Sequence, residues 1–165
     1  MKCGHFTSRG QPSHCHRLPI RMSQSELMGV NADVGGVDEL FSNPRILVVD
    51  DDLTICESLA MILEMEGYLV DKAMCGQEAI ELSRFRFYDL AIVDSRLPDI
   101  QGEKLLEKLK ELAPNMVEIM VTGNQSLDAE AFSSGVGPDA FFVKPMNMDR
   151  LLETISELLL KKQND

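Results

Sequence analysis

Acidic, hydroxyl and basic side chains sit where this chain repeatedly leaves short apolar runs. Asp50-Asp51-Asp52 follows Ile46–Val49, Asp94 follows Leu90–Val93, Thr122 ends Met116–Val121, and Lys144 follows Ala140–Val143. Carboxylates packed closely repel one another, which raises their pKa values unless a cation lies among them. An oxygen-only set without His or Cys ligands suits a hard ion such as Mg²⁺, which keeps several waters and works with phosphate. A lysine opposite such a set is not a metal ligand. It suits the negative oxygens of an incoming group, and a hydroxyl donor supplements it. The chemistry implied is transfer of a phosphoryl group to a carboxylate nucleophile.

For this to happen the four segments must converge, and the intervening pattern predicts how. The apolar runs Ile46–Val49, Tyr68–Ala73, Leu90–Val93, Met116–Val121 and Ala140–Val143 have the length and composition of buried strands. Between them lie helical patterns. Ile55, Leu59, Ile62 and Leu63 share a face along 53–66, closed by Gly67, and a second helix is expected over about 76–86. Leu105, Leu106, Leu109 and Leu112 mark a third that stops before Pro114. A fourth, short and rich in Ser and Gly, is expected over about 125–134. Met148, Leu151, Leu152, Ile155, Leu158 and Leu159 form the stripe of the last. Five strands alternating with five helices predict an α/β fold, a doubly wound parallel sheet covered on both faces. Ligands of such sheets bind beyond the carboxyl ends of the strands, where the acids, hydroxyl and lysine lie.

Four segments, in order and with family-like spacing over about residues 45–161, resemble the receiver domains of two-component response regulators. Ile46-Leu47-Val48-Val49-Asp50-Asp51-Asp52 resembles their first strand and acidic pair, and Asp94-Ser95-Arg96-Leu97-Pro98-Asp99-Ile100-Gln101-Gly102 their phosphoacceptor loop. Val121-Thr122-Gly123 and Phe142-Val143-Lys144-Pro145 resemble the remaining two signatures. The resemblance implies a (βα)5 flavodoxin-like sheet in the order 2-1-3-4-5, with phosphorylation of Asp94. It implies that Asp51, Asp94 and the Arg96 backbone carbonyl ligate Mg²⁺ while Asp50 orients a metal-bound water. Lys144 and Thr122 would meet the phosphoryl oxygens, Phe141 would be the switch aromatic, and the Lys144–Pro145 bond would be cis. Arg96 and Asn124 fall where the family tunes dephosphorylation. Asp52 is expected at a helix N-terminus, where the dipole favours an acid.

The partners implied are a histidine kinase or histidine phosphotransfer protein as donor and a downstream effector protein. The effector would read the surface of the fourth helix, fifth strand and fifth helix, on a monomer or a weak phosphorylation-dependent dimer. With only Lys161–Asp165 beyond the last stripe, no output domain is expected. The rival reading is an enzyme. Asp50-Asp51-Asp52-Leu53-Thr54 also satisfies D-x-D-x-T, the nucleophile motif of haloacid-dehalogenase-type phosphatases, with Asp50 as nucleophile and Asp52 as acid/base. Such enzymes need a further acidic pair after a later strand and have no use for the Asp94 loop.

Composition bounds the rest. A formal charge of −11 over 165 residues argues against a nucleic-acid surface, which needs a basic stripe. No run of about 18 apolar residues is present to span a bilayer, and no secretory leader is evident, so a cytoplasmic location is expected. Cys3, Cys15, Cys56 and Cys75 form no CxxC pair, and Cys56 is expected as a buried thiol. Residues 1–43 are rich in Gly, Ser, Pro and Asn and predict an extension without a fold, the domain proper being 44–165. Cys3, His5, His14, Cys15 and His16 have the types of zinc ligands, but their spacing fits no common finger. Leu27, Val30, Val34, Val37 and Phe41 recur at helical spacing, interrupted by Gly29, Gly35 and Gly36, and a loose tether is expected; Met22 or Met28 is an alternative start.

Overall fold

A computed structural model describes residues 43–123 and 137–164. The strands are β1 (Arg45–Val49), β2 (Leu69–Ala73), β3 (Leu90–Asp94), β4 (Val117–Thr122) and β5 (Ala140–Val143). The helices are α1 (Leu53–Met65), α2 (Gly76–Phe85), α3 (Gly102–Leu112) and the C-terminal helix α4 (Met148–Asn164). The helix expected over about 125–134, Asn124, and the extension before Asn43 with its Cys/His cluster lie outside the described residues.

The strands form one parallel sheet in the order β2-β1-β3-β4-β5, as expected. Side chains alternate between faces along each strand, so each strand supplies both halves of the core. Ile46, Val48, Leu90, Ile92, Ile119 and Phe142 point to the face closed by Cys56, Leu59 and Leu63 of α1 and Leu151, Ile155 and Leu159 of α4. Leu47, Val49, Ala91, Val93 and Met120 point to the face closed by Ala79 and Ile80 of α2 and Leu105, Leu106 and Leu109 of α3. Burial of a leucine such as Leu63 or Leu105, both fully enclosed, contributes about 2 kcal/mol.

The element ends differ slightly from the apolar runs, for local reasons. Tyr68 is not part of β2, because its N–H donates to the Leu63 carbonyl (3.1 Å) in the turn that ends α1. Gly67 supplies the left-handed residue of that turn, at φ 90°, and donates to the Glu64 carbonyl (3.0 Å). Met116 precedes β4, with its N–H on the Ala113 carbonyl (3.0 Å). Asp94 and Thr122 are the last residues of β3 and β4 rather than the first beyond them. Each is therefore held by sheet pairing. Among the described residues no helix is long and apolar enough to cross a membrane.

Candidate functional site

Parallel strands end on a common rim, and the hydrogen bonds just past their ends fix Asp50, Ser95 and Lys144 there. The Asp50 N–H donates to the Ala73 carbonyl (3.2 Å), Ser95 N–H to Val121 (2.8 Å), and Lys144 N–H to Thr122 (2.8 Å). Asp50, Asp94 and Thr122 are buried, whereas Asp51 is exposed. The Lys144–Pro145 bond is cis, as the resemblance implied.

Lys144 bridges two carboxylates. Its Nζ lies 2.6 Å from Asp50 Oδ2 and 2.5 Å from Asp94 Oδ2. Burial alone would lower the pKa of this ammonium. Hydrogen bonds to Asp50 and Asp94, and their charges, outweigh that and hold it above its ordinary value. The sequence predicted Lys144 opposite the acids but not its sharing between two of them. Like charges at a buried rim require a nearby cation, and Lys144 satisfies that requirement. The other carboxylate oxygens face backbone. Asp50 Oδ1 accepts from Asp52 N–H (2.9 Å), and Asp94 Oδ1 from Arg96 N–H (3.1 Å) and the Ser95 hydroxyl (3.4 Å).

Asp50, Asp51 and Asp94 each present an oxygen, and these oxygens lie within 4.8 Å of one another. An all-carboxylate cluster with one open member on the solvent side fits a hard, partly hydrated divalent ion. Asp52 does not join it. Its Oδ1 accepts from the Thr54 and Ile55 N–H groups at 2.8 and 3.4 Å, the N-cap of α1, as its position before Leu53 predicted. A carboxylate so engaged is poorly placed for the acid/base role that the phosphatase reading gave it. Cys56 is buried as expected. Its thiol donates to the Asp50 carbonyl (3.3 Å), and burial, with the Asp50 charge, pushes its pKa up to about 11.

The acceptor loop is held tightly. Gly102 N–H donates to the Ser95 carbonyl (2.9 Å), and Arg96 pairs with Gln101 in an isolated antiparallel bridge. A Cβ on Gly102 would come 2.4 Å from the Asp94 carbonyl oxygen and 2.7 Å from Ser95 Cα, so only glycine permits this closure. Arg96 is exposed and extends over the end of β4, its Nη2 3.1 Å from the position of a Cβ on Gly123. Phe141, opposite Met120 in the sheet register, is half-buried against the α2/α3 side of the core.

Three participants escaped the sequence. Ser95 is buried beside Asp94, which only its place after a strand-end acid hints at. Asp99 accepts hydrogen bonds from the start of α2. Glu118 is buried within β4, on the opposite end of the sheet from the rim residue Thr122. Its Oε2 lies 3.9 Å from Lys110 Nζ, and among the described residues its Oε1 has no hydrogen-bond partner. Burial, reinforced by Asp139 and opposed by Lys110, pushes its pKa up to about 7.

Known proteins share this fold. Residues 46–156 match the family model described as the response regulator receiver domain. The transcriptional regulatory protein ZraR of Klebsiella oxytoca is 33% identical over 114 residues, 69% of this chain and 26% of that protein. The cell cycle transcriptional regulator CtrA of Caulobacter vibrioides is 25% identical over 72% of this chain and 52% of its own length. The chain thus spans about a quarter to a half of these curated relatives. A CheY-like receiver domain from Methanospirillum hungatei superposes with a TM-score of 0.70 at 45% identity, covering 74% of this chain and 98% of that one. The response regulator TrrA of Thermotoga maritima, solved in complex with Mg²⁺–BeF, gives 0.63 at 33% identity, over 70% and 98%. With its strand order and this match over most of its length, the chain belongs to the response regulator receiver domain family.

Proposed function

We propose that residues 44–165 form a receiver that takes a phosphoryl group onto Asp94 from the phosphohistidine of a histidine kinase or phosphotransfer protein. The observation that carries this reading is the Lys144 ammonium seated on the Asp94 carboxylate at the sheet rim. An Asp94 oxygen forms a bond to phosphorus while the P–N bond to the donor imidazole breaks, its electron pair remaining on the imidazole nitrogen. Lys144, already positioned and charged, pairs with the phosphoryl oxygens without reorganising, which is where preorganised charge helps most. Thr122, buried at the end of β4, adds its hydroxyl. Asp50, Asp51, Asp94 and the Arg96 carbonyl are the proposed Mg²⁺ set, with Asp50 acting through a bound water. The ion would neutralise charge on the transferred group. Likeness to TrrA, a response regulator solved in complex with Mg²⁺–BeF, supports Mg²⁺ as the ion.

On phosphorylation Lys144 and Thr122 engage the new oxygens, and Phe141 turns inward. The surface that includes β5 and α4 then binds a downstream effector protein. The phosphatase alternative is disfavoured by the capping role of Asp52 and by the family match. The test is chemical mapping of the acceptor. After incubation with Mg²⁺ and phosphoramidate, hydroxylamine should convert an acyl phosphate at Asp94 to a hydroxamate found in the peptide that contains it. A modification at Asp50, or release of phosphate from small esters by an Asp94→Asn chain, would favour the enzyme instead.

A further inference from the structure

The acceptor loop is fastened to the start of α2 by a residue that none of the family signatures explains. Asp99 Oδ1 accepts from the Gly76 N–H (2.9 Å) and Asp99 Oδ2 from the Gln77 N–H (2.8 Å). The N-cap of α2 is Cys75, whose side chain makes no cap hydrogen bond, so the capping carboxylate comes from a loop 22 and 23 residues away. The neighbouring residue adds a second fastening. Ile100 packs so closely over Gly76 that a Cβ there would come 2.1 Å from Ile100 Cγ2. The loop is therefore pinned at its base by Gly102 and at its outer tip by Asp99 and Ile100.

We infer that Asp99 is a positioning residue for the Mg²⁺ set, holding the Ser95–Gln101 loop so that the Arg96 carbonyl stays in place beside Asp94. This rests on the metal set proposed above. The Arg96 carbonyl is the one backbone ligand in that set and the one carried on this loop. A backbone ligand cannot swing into place as a side chain does, so its geometry is only as firm as the loop. Asp99 fastens that loop to a helix that packs against α3 and the sheet through Ala79 and Ile80. Groups that orient metal ligands without touching the metal commonly contribute about 10- to 100-fold to affinity.

A purely structural role for Asp99, as the cap of α2, is separable by a neighbouring control. Glu78 Oε2 accepts from the Met74 N–H (2.8 Å) at the same helix start but makes no link to the acceptor loop. Mg²⁺ binding to the full chain is measured by calorimetry, and stability by urea unfolding, for wild type, Asp99→Ala, Asp99→Asn and Glu78→Ala. The expected result is that both alanine variants lose stability, but only Asp99→Ala binds Mg²⁺ about 10-fold more weakly. Asp99→Asn, which keeps one acceptor oxygen, should fall between it and wild type. Unchanged Mg²⁺ affinity in Asp99→Ala, or equal weakening in Glu78→Ala, overturns the inference. Wild-type protein that binds Mg²⁺ but accepts no phosphoryl group would sink the proposed function while leaving the Asp99 comparison standing. Wild-type protein that binds no Mg²⁺ would remove both.

Discussion

Lys144 and Asp94 are 50 residues apart in the chain, yet the ammonium of one lies 2.5 Å from the carboxylate of the other. Neighbouring strands β3 and β4, then β4 and β5, carry that contact across the sheet. The same ammonium also neutralises Asp50.

Replacing Lys144 should therefore affect chemistry and folding together. Lys144→Ala is expected to slow phosphorylation from a small donor by about 100- to 1,000-fold, the usual effect of losing one preorganised charge at a reacting group. It should also destabilise the fold at neutral pH, because Asp50 and Asp94 would then face each other without their cation. The pH dependence has a definite sign. The Lys144 pKa is raised on folding, so its stabilisation is complete below the unfolded value near 10.5 and is lost as pH rises through the folded value. Urea unfolding of wild type and Lys144→Ala across alkaline pH should show the two converging there. A constant gap would contradict the assigned ion pair.

Asp52→Ala separates the receiver from the phosphatase. Loss of the α1 cap should cost about 1 kcal/mol of stability while phosphorylation of Asp94 persists. A phosphatase that uses Asp52 as its acid/base would lose its reaction altogether.

Much of this is legible in the sequence. Asp50, Asp94, Thr122 and Lys144 could be grouped because each closes an apolar run, and runs in a parallel sheet end on one rim. Asp52 could be recognised as a cap because the α1 pattern starts at Leu53. Other features were hidden for physical reasons. Glu118 stands inside an apolar run, and nothing in the sequence indicates that its side chain is enclosed. Asp99 caps a helix that precedes it by more than twenty residues, a pairing set by how two loops meet rather than by local pattern. The division of Lys144 between Asp50 and Asp94 depends on distances that only the folded rim defines.

Glu118 gives the fold a second pH dependence, of the same sign but at lower pH. Its pKa is raised from 4.5 to about 7, so the folded state holds a proton that the unfolded state releases between those values. Stability contributed by this site should fall as pH rises through that window. Glu118→Gln keeps the shape and removes the titration, and its unfolding free energy should vary less than that of wild type from pH 4.5 to 7. Identical slopes for the two proteins would show that Glu118 is solvated.

Gly102→Ala should be costly out of proportion to one methyl group. The added Cβ meets backbone atoms of Asp94 and Ser95, which cannot rotate away. Overpacking of this kind costs about 1–3 kcal/mol, readable as a lower urea midpoint, and here it should also weaken phosphorylation because the displaced atoms belong to the acceptor. Unaltered stability and phosphorylation would mean that the loop is more yielding than its contacts suggest.

Intact-protein mass after incubation with Mg²⁺ and acetyl phosphate tests the central claim most directly. Wild-type chain should gain the mass of one phosphoryl group, and Asp94→Asn should gain none. A wild-type chain that stays unmodified, or an Asp94→Asn chain that is modified equally, would contradict it.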